Sequence, residues 1–190
     1  LVFVKVHVDR FPLDSGCWYG LPGAFAHRGA LEKCSGAAQS SKTRQPMIDQ
    51  ARLEDIVRHA GGIALASWPG AGHVVERWEK SPDNPVSAAD LAVDAYLKRE
   101  LGALLPAAGW LSEETADSPA RLAASRVWVV DPIDGTRAFM AGEADWTVSA
   151  ALVENGRPIA AALFAPVSDE LFLAARGQGA TRNAATIRGS

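Results

Sequence analysis

Cysteine is nearly absent. Cys17 and Cys34 are the only two, and nothing from Gln45 onward carries a thiol. Disulfide staples and thiol chemistry are excluded beyond that point, and a reducing cytoplasm is the default compartment. A cationic excess is also lacking: 19 lysines and arginines face 22 acidic residues, for a net charge of −3. No basic field therefore invites nucleic acid or a membrane surface. No apolar run approaches the length that spans a bilayer, and Lys5 and His7 break up the apolar block that a secretory signal needs. His59 and His73 share no ligand spacing with other histidines or with cysteine, so they read as helix and loop surface residues. Internal repeats and low-complexity tracts are missing too.

What is present is globular material. Hydrophobic residues make up 48% and charged residues 22%, which suits one domain with a real core. Residues 1–8 place Val2, Val4, Val6 and Val8 on one face, as a strand does. Residues 11–45 lose all periodicity among Gly, Ser, Pro and isolated charges, and the first methionine is Met47. Residues 1–46 read as a leader, poorly ordered or foreign to the natural protein. The alternative is an extension that packs on the core. Residues 47–190 form the folded unit.

From Asp49 the pattern is helical, with Leu53, Ile56, Val57, Ala60, Ile63 and Ala64 at three- and four-residue steps. Gly61-Gly62 weakens its middle and Trp68-Pro69-Gly70 ends it. A polar connection follows, through Glu76, Arg77, Glu79, Lys80 and Ser81-Pro82-Asp83-Asn84-Pro85. A second helix runs from Ser87 to about Leu105, with Val93, Leu97, Leu101 and Leu104 inward and Pro106 as its stop. Residues 107–112 read as a short strand that delivers Glu113-Glu114. Further strands read at 146–153, 159–164, 171–175 and 180–182, the first two joined through Asn155-Gly156, a strong hairpin signal. Residues 186–190 add no closing element. Two helices followed by a mostly antiparallel sheet make an α+β layer.

The chemistry concentrates in Val127-Trp128-Val129-Val130-Asp131-Pro132-Ile133-Asp134-Gly135-Thr136. Four apolar residues form a buried strand, and Pro132 stops its ladder. Asp134-Gly135 turns, and Thr136 opens a helix. Asp131 and Asp134 thus face one spot, which Glu113 can share from another strand. Carboxylate oxygens suit Mg²⁺, and the N–H groups of a helix start suit phosphate. Taken singly, Asp-Pro and Asp-Gly are ordinary turn formers; the strand before them and Glu113-Glu114 upstream favour the functional reading. Phosphatases of the haloacid dehalogenase type also place Asp after an apolar strand, but their two aspartates lie two apart, whereas here the spacing is three. Asp90 completes a capping box in Ser87-Ala88-Ala89-Asp90, so helix capping accounts for it on local grounds. Lys80 reads as a solvated loop lysine, and Trp128 and Trp146 as core residues.

Three segments together resemble the inositol monophosphatase superfamily of Mg²⁺-dependent, lithium-sensitive phosphomonoesterases. They are Asn84-Pro85-Val86-Ser87-Ala88-Ala89-Asp90, Leu111-Ser112-Glu113-Glu114 and Trp128 through Thr136. The likeness runs from about Met47 to Asn183. It implies that Glu113, Asp131 and the Ile133 carbonyl hold one Mg²⁺, that Asp131 and Asp134 hold a second, and that a third ion can join them. It also implies that Thr136, bonded to Asp90, activates water together with Glu113. Gly135, Thr136 and Arg137 would hold the phosphate, and Lys80 would meet the substrate. Arg137-Ala138-Phe139-Met140, the segment from Asp145 to Leu152, and Phe164-Ala165-Pro166-Val167 look most like the bacterial 3′(2′),5′-bisphosphate nucleotidases. The implied substrate is adenosine 3′,5′-bisphosphate, with inositol 1-phosphate as the alternative and a non-catalytic, metal-binding interaction module as the reading from another class.

The superfamily fold is an αβαβα sandwich of two halves, and residues 47–190 correspond to the first. A further Asp, from a Trp-Asp segment of the second half, completes the metal site in the superfamily, and nothing after Thr181 supplies one. The expectation is a half-fold of weak or no activity, whose exposed apolar sheet face favours association, a homodimer included.

Overall fold

The computed structural model describes residues 48–81 and 84–188. The readings made for residues 1–46 lie outside them. Asp49 opens helix α1 (Gln50–Leu65), its side chain accepting from the Arg52 N–H at 3.1 Å. Leu53, Ile56, Val57, Ala60 and Ala64 then form one buried stripe, the three-and-four spacing of an amphipathic helix. The polar connection expected at 76–85 is instead an antiparallel pair, β1 (Arg77–Ser81) with β2 (Asn84–Ser87). Its apolar content is a cross-strand pair, Trp78 opposite the buried Val86, which charged and polar neighbours hide in the sequence. Helix α2 (Ala88–Leu104) follows, capped by Ser87. Val93, Leu97 and Leu101 are fully buried, while Leu104 is only partly covered.

The main sheet has seven strands in sequence order: β3 (Gly109–Ser112), β4 (Arg126–Asp134), β5 (Thr147–Glu154), β6 (Arg157–Ala165), β7 (Glu170–Ala175), β8 (Gly179–Arg182) and β9 (Ala185–Ile187). Only β3 and β4 run parallel; every other neighbouring pair is antiparallel. Helix α1 packs on β5, β6 and β7, and α2 on α1 and β4. The shared core holds Trp128, Val130, Val148, Leu152, Phe164 and Leu171 from the strands. The α+β expectation holds. Among the described residues no helix is long and apolar enough to cross a membrane.

Three details depart from the sequence reading. First, β9 pairs with β8 where no closing element was expected. It is an edge strand of three residues, too short to announce itself by alternation. Second, β4 does not stop at Pro132 but resumes its ladder at Asp134. Third, α1 runs unbroken through Gly61-Gly62, and Gly61 has a packing role. A Cβ at Gly61 would lie 2.6 Å from the Phe164 ring and 2.8 Å from Pro166 Cγ, so glycine lets the helix meet the sheet. At Gly62 a Cβ would meet nothing. Gly61→Ala is therefore expected to lower the free energy of unfolding by about 1–3 kcal/mol through overpacking. Gly62→Ala is expected to raise it by up to about 1 kcal/mol through helix propensity alone. Paired urea titrations would read the opposite signs.

Candidate active site

The site begins with a register. Ser112 of β3 pairs with Val130 of β4 in the parallel ladder, so the next residues, Glu113 and Asp131, leave the strands side by side. Strand carboxyl ends are where α/β-type sheets place ligands. On the other side of β4, Asp131 pairs with Ser149 and Asp134 with Thr147. Three steps on β4 thus match two on β5, which is one extra residue and hence a bulge. A regular strand would send residues three apart to opposite faces. The bulge restores parity, so Asp131 and Asp134 follow Ser149 and Thr147 onto the same face. Pro132, which has no N–H to give, lies inside the irregularity.

Gly135 then turns the chain at φ +98°, where a Cβ would lie 2.7 Å from the Asp145 carbonyl oxygen and 3.2 Å from Trp146 Cα. No side chain fits against that wall. Trp146 is buried beneath the turn, with Phe139 edge-on at 5.0 Å between ring centroids and Trp68 at 6.3 Å. Helix α3 (Thr136–Ala141) starts at once, presenting Thr136 and the exposed Arg137.

Asp90 does two things with its two oxygens. Oδ2 accepts from the Ser87 N–H at 2.8 Å and the Ser87 hydroxyl at 2.5 Å, closing the capping box of α2. Oδ1 lies 3.1 Å from the Thr136 hydroxyl, which is also 3.0 Å from the Ile133 carbonyl oxygen. The local capping reading was correct but incomplete. The structure thus brings together Asp90, Glu113, Asp131, Ile133, Asp134, Gly135 and Thr136. Lys80 is placed on β1 by its backbone, and its side chain lies outside the described residues.

One group escaped the sequence reading. Asp94, one turn beyond Asp90 on α2, is 7% exposed and accepts from the hydroxyls of Ser112 and Thr115. The available signal was an acidic residue at i+4 on the helix's buried side, next to Val93 and Leu97.

The electrostatics are those of crowded negative charge. Burial, the neighbouring Glu113 and Asp134 charges, a hydrogen bond with Glu113 and the Asp90 charge push the Asp131 carboxyl up from 3.8 to about 8. Like charges held close disfavour ionisation, and a positive ion among them would relieve it. Among the described residues, no three acidic, histidine or cysteine side chains form a ready metal cage.

A fold of two helices on a sheet, with oxygen donors at the ends of adjacent strands, has matches among known proteins. The profile of the inositol monophosphatase family matches residues 45–190, and the chain belongs to that family. It is 37% identical to the 3′(2′),5′-bisphosphate nucleotidase CysQ of Salmonella typhimurium, over 65% of this chain and 50% of that protein. It is 38% identical to the inositol-1-monophosphatase of Rhizobium meliloti, over 57% of this chain and 41% of that protein. With the histidinol-phosphatase of Mycobacterium tuberculosis it shares 40% identity over 55% of this chain and 40% of that protein. Among solved structures, the SuhB protein of Bartonella henselae superposes with a TM-score of 0.67 at 29% identity, covering 73% of this chain and 53% of its own. The Thermotoga maritima inositol monophosphatase gives 0.64 at 29% identity, with 74% and 54% covered. The chain spans about half the length of the curated relatives it matches.

The raised Asp131 has a thermodynamic consequence. A carboxyl whose folded pKa lies above its unfolded value contributes stability that is complete below the unfolded value and lost as pH rises through the folded one. Here that window runs from 3.8 to about 8. Metal-free protein in EDTA is expected to lose unfolding free energy from about pH 4 to about pH 8. Asp131→Asn is expected to flatten that slope. Urea titrations at a series of pH values test both.

Proposed function

We propose that the chain carries the machinery of a Mg²⁺-dependent, lithium-sensitive phosphomonoesterase of the cytoplasm, acting on a small phosphorylated metabolite. The observation that supports this most is the carboxylate cluster at the ends of β3 and β4, where crowding pushes Asp131 up to about 8. Its donors are oxygens only, the chemistry a hard cation wants. The lack of a ready cage suits Mg²⁺, which keeps several waters and leaves positions for substrate phosphate. Glu113, Asp131 and the Ile133 carbonyl would hold one ion, and Asp131 and Asp134 a second, with room for a third. The Ile133 oxygen keeps a second lone pair beside its Thr136 contact. When bound, the ions supply Lewis acidity and neutralise phosphate charge.

The chain's own residues do the rest. The Thr136 hydroxyl, donating to Asp90 Oδ1, keeps its oxygen lone pairs for a hydrogen of the attacking water. Glu113 takes the proton as general base. The backbone N–H groups of Gly135, Thr136 and Arg137, at the start of α3, are assigned to the phosphate oxygens. Lys80, on β1, is assigned to the substrate. The water oxygen bonds to phosphorus, the ester P–O bond breaks, and the leaving oxygen is protonated, releasing inorganic phosphate.

Adenosine 3′,5′-bisphosphate, giving AMP, is the first substrate to try, because the Salmonella nucleotidase shares 37% identity. Inositol 1-phosphate is the second reading, favoured by the Rhizobium relative at 38%. Phosphate release from both is the test, with Mg²⁺ and with or without Li⁺. Release is expected to be weak, lithium-inhibited and faster from the nucleotide. Glu113→Gln is expected to slow it by about 10²–10⁴-fold, as loss of a general base does, and Asp134→Asn to weaken its Mg²⁺ dependence. Release that survives EDTA, or is unchanged in Glu113→Gln, would overturn the mechanism. Release from neither substrate by a folded, Mg²⁺-binding chain would favour a metal-binding module.

A further inference from the structure

We propose that Asp94 is a positioning residue for Glu113: from α2 it fixes the turn that aims this carboxylate at the cation. The inference rests on the reading of the cluster as a Mg²⁺ site.

Glu113 is exposed and stands at the end of an edge strand of only four residues. Packing holds little of its direction, and its hydrogen-bond partner is Asp131, itself an assigned ligand, yet a metal ligand must be held to within a fraction of an ångström. The residues on either side of it are held. Ser112 donates its hydroxyl to Asp94 Oδ1, and Thr115 donates its own to Asp94 Oδ2. The Ser112 oxygen in turn accepts from the Glu114 N–H at 3.2 Å. One carboxylate therefore ties down the residue before Glu113 and, through two links, the two residues after it.

Packing alone does not ask for this. A buried carboxylate is costly unless hydrogen-bonded, and apolar side chains in place of Asp94 and both its hydroxyl partners would serve stability as well. Both Asp94 oxygens are spent on the segment that carries Glu113, and neither on the helix that bears Asp94. Asp90, one turn earlier, gives one of its oxygens to Thr136 in the same manner. The first two turns of α2 therefore orient both groups assigned to the attacking water. Asparagine offers one acceptor oxygen where Asp94 offers two, so one of the hydroxyls must turn and accept from its amide nitrogen, in a neutral and weaker linkage.

Mn²⁺ binding to the full chain, counted by the electron paramagnetic resonance of the free ion, is the measurement. Asp131→Asn should abolish binding and serves as control. Asp94→Asn is expected to raise the Mn²⁺ dissociation constant about tenfold or more, as loss of an orienting partner does, and to speed amide hydrogen exchange at Glu114. Thr115→Val should weaken binding in the wild-type background and add little to Asp94→Asn, because both cut one linkage. An unchanged dissociation constant in folded Asp94→Asn would overturn the proposal, whatever its melting temperature does. Where Asp94→Asn fails to fold, Thr115→Val decides alone: weakened binding supports the linkage and wild-type binding overturns it. A wild-type chain that binds no Mn²⁺ would overturn the metal reading itself. A wild type that binds while the variant binds equally would overturn only the role of Asp94.

Discussion

An ionised carboxylate taken out of water costs several kcal/mol unless hydrogen bonds replace the lost hydration. Helix α2 buries two of them, Asp90 at 1% and Asp94 at 7% exposure, and much of the site's order follows from how they are satisfied. Neither is paired with a cationic side chain among the described residues. Each draws instead on N–H and O–H donors from a different piece of chain: Ser87 and Thr136 for Asp90, Ser112 and Thr115 for Asp94. Those donors lie at the start of α2, the start of α3 and the exit of β3. Satisfying the two carboxylates therefore draws three segments, distant in sequence, to one end of one helix.

The sheet supplies the complementary constraint. Parallel pairing of β3 with β4 sets Glu113 beside Asp131, and the bulge at Pro132 brings Asp134 back to the face of Asp131. Both devices are needed. Without the bulge, spacing by three would turn one carboxylate away, and without the parallel register Glu113 would approach from no fixed side. Gly135 closes the arrangement by letting the turn lie against Asp145 and Trp146, where any side chain would collide.

Much of this was legible in the chain. The two helices, the Ser87 cap, the Asn155-Gly156 hairpin and the strand before Asp131 all announce themselves, because period and turn chemistry are local. The hairpin of β1 and β2, the short β9 and the packing role of Gly61 did not. The first shows one apolar residue per strand opposite each other, Trp78 and Val86, too few for a period, the second is too short for one, and the third depends on Phe164, over a hundred residues away. Asp131, Asp134, Glu113 and Thr136 were visible as residue types at a strand end. Their convergence was not, since it depends on a ladder register and a bulge. Asp94 was missed for the same reason: its partners are Ser112 and Thr115, and only the fold makes them neighbours.

The local rules broken here share one direction. A carboxyl pushed to about 8 by its neighbours is a folded state that holds repulsion it could discard by replacing one acid. A glycine held at φ +98° and a proline inside a ladder are likewise concessions that a sequence selected only for stability would avoid. All three lie within a few residues on one turn, while the helices and strands beneath obey period, capping and packing. Charge conflict gathered at one turn is what a site produces when its charge is arranged for a ligand rather than for the fold. Asp90 and Asp94 belong to the same economy: buried charge placed where it orients other groups. The scaffold's ordinary stability, from α1, α2 and the strands they cover, is what lets that crowding persist.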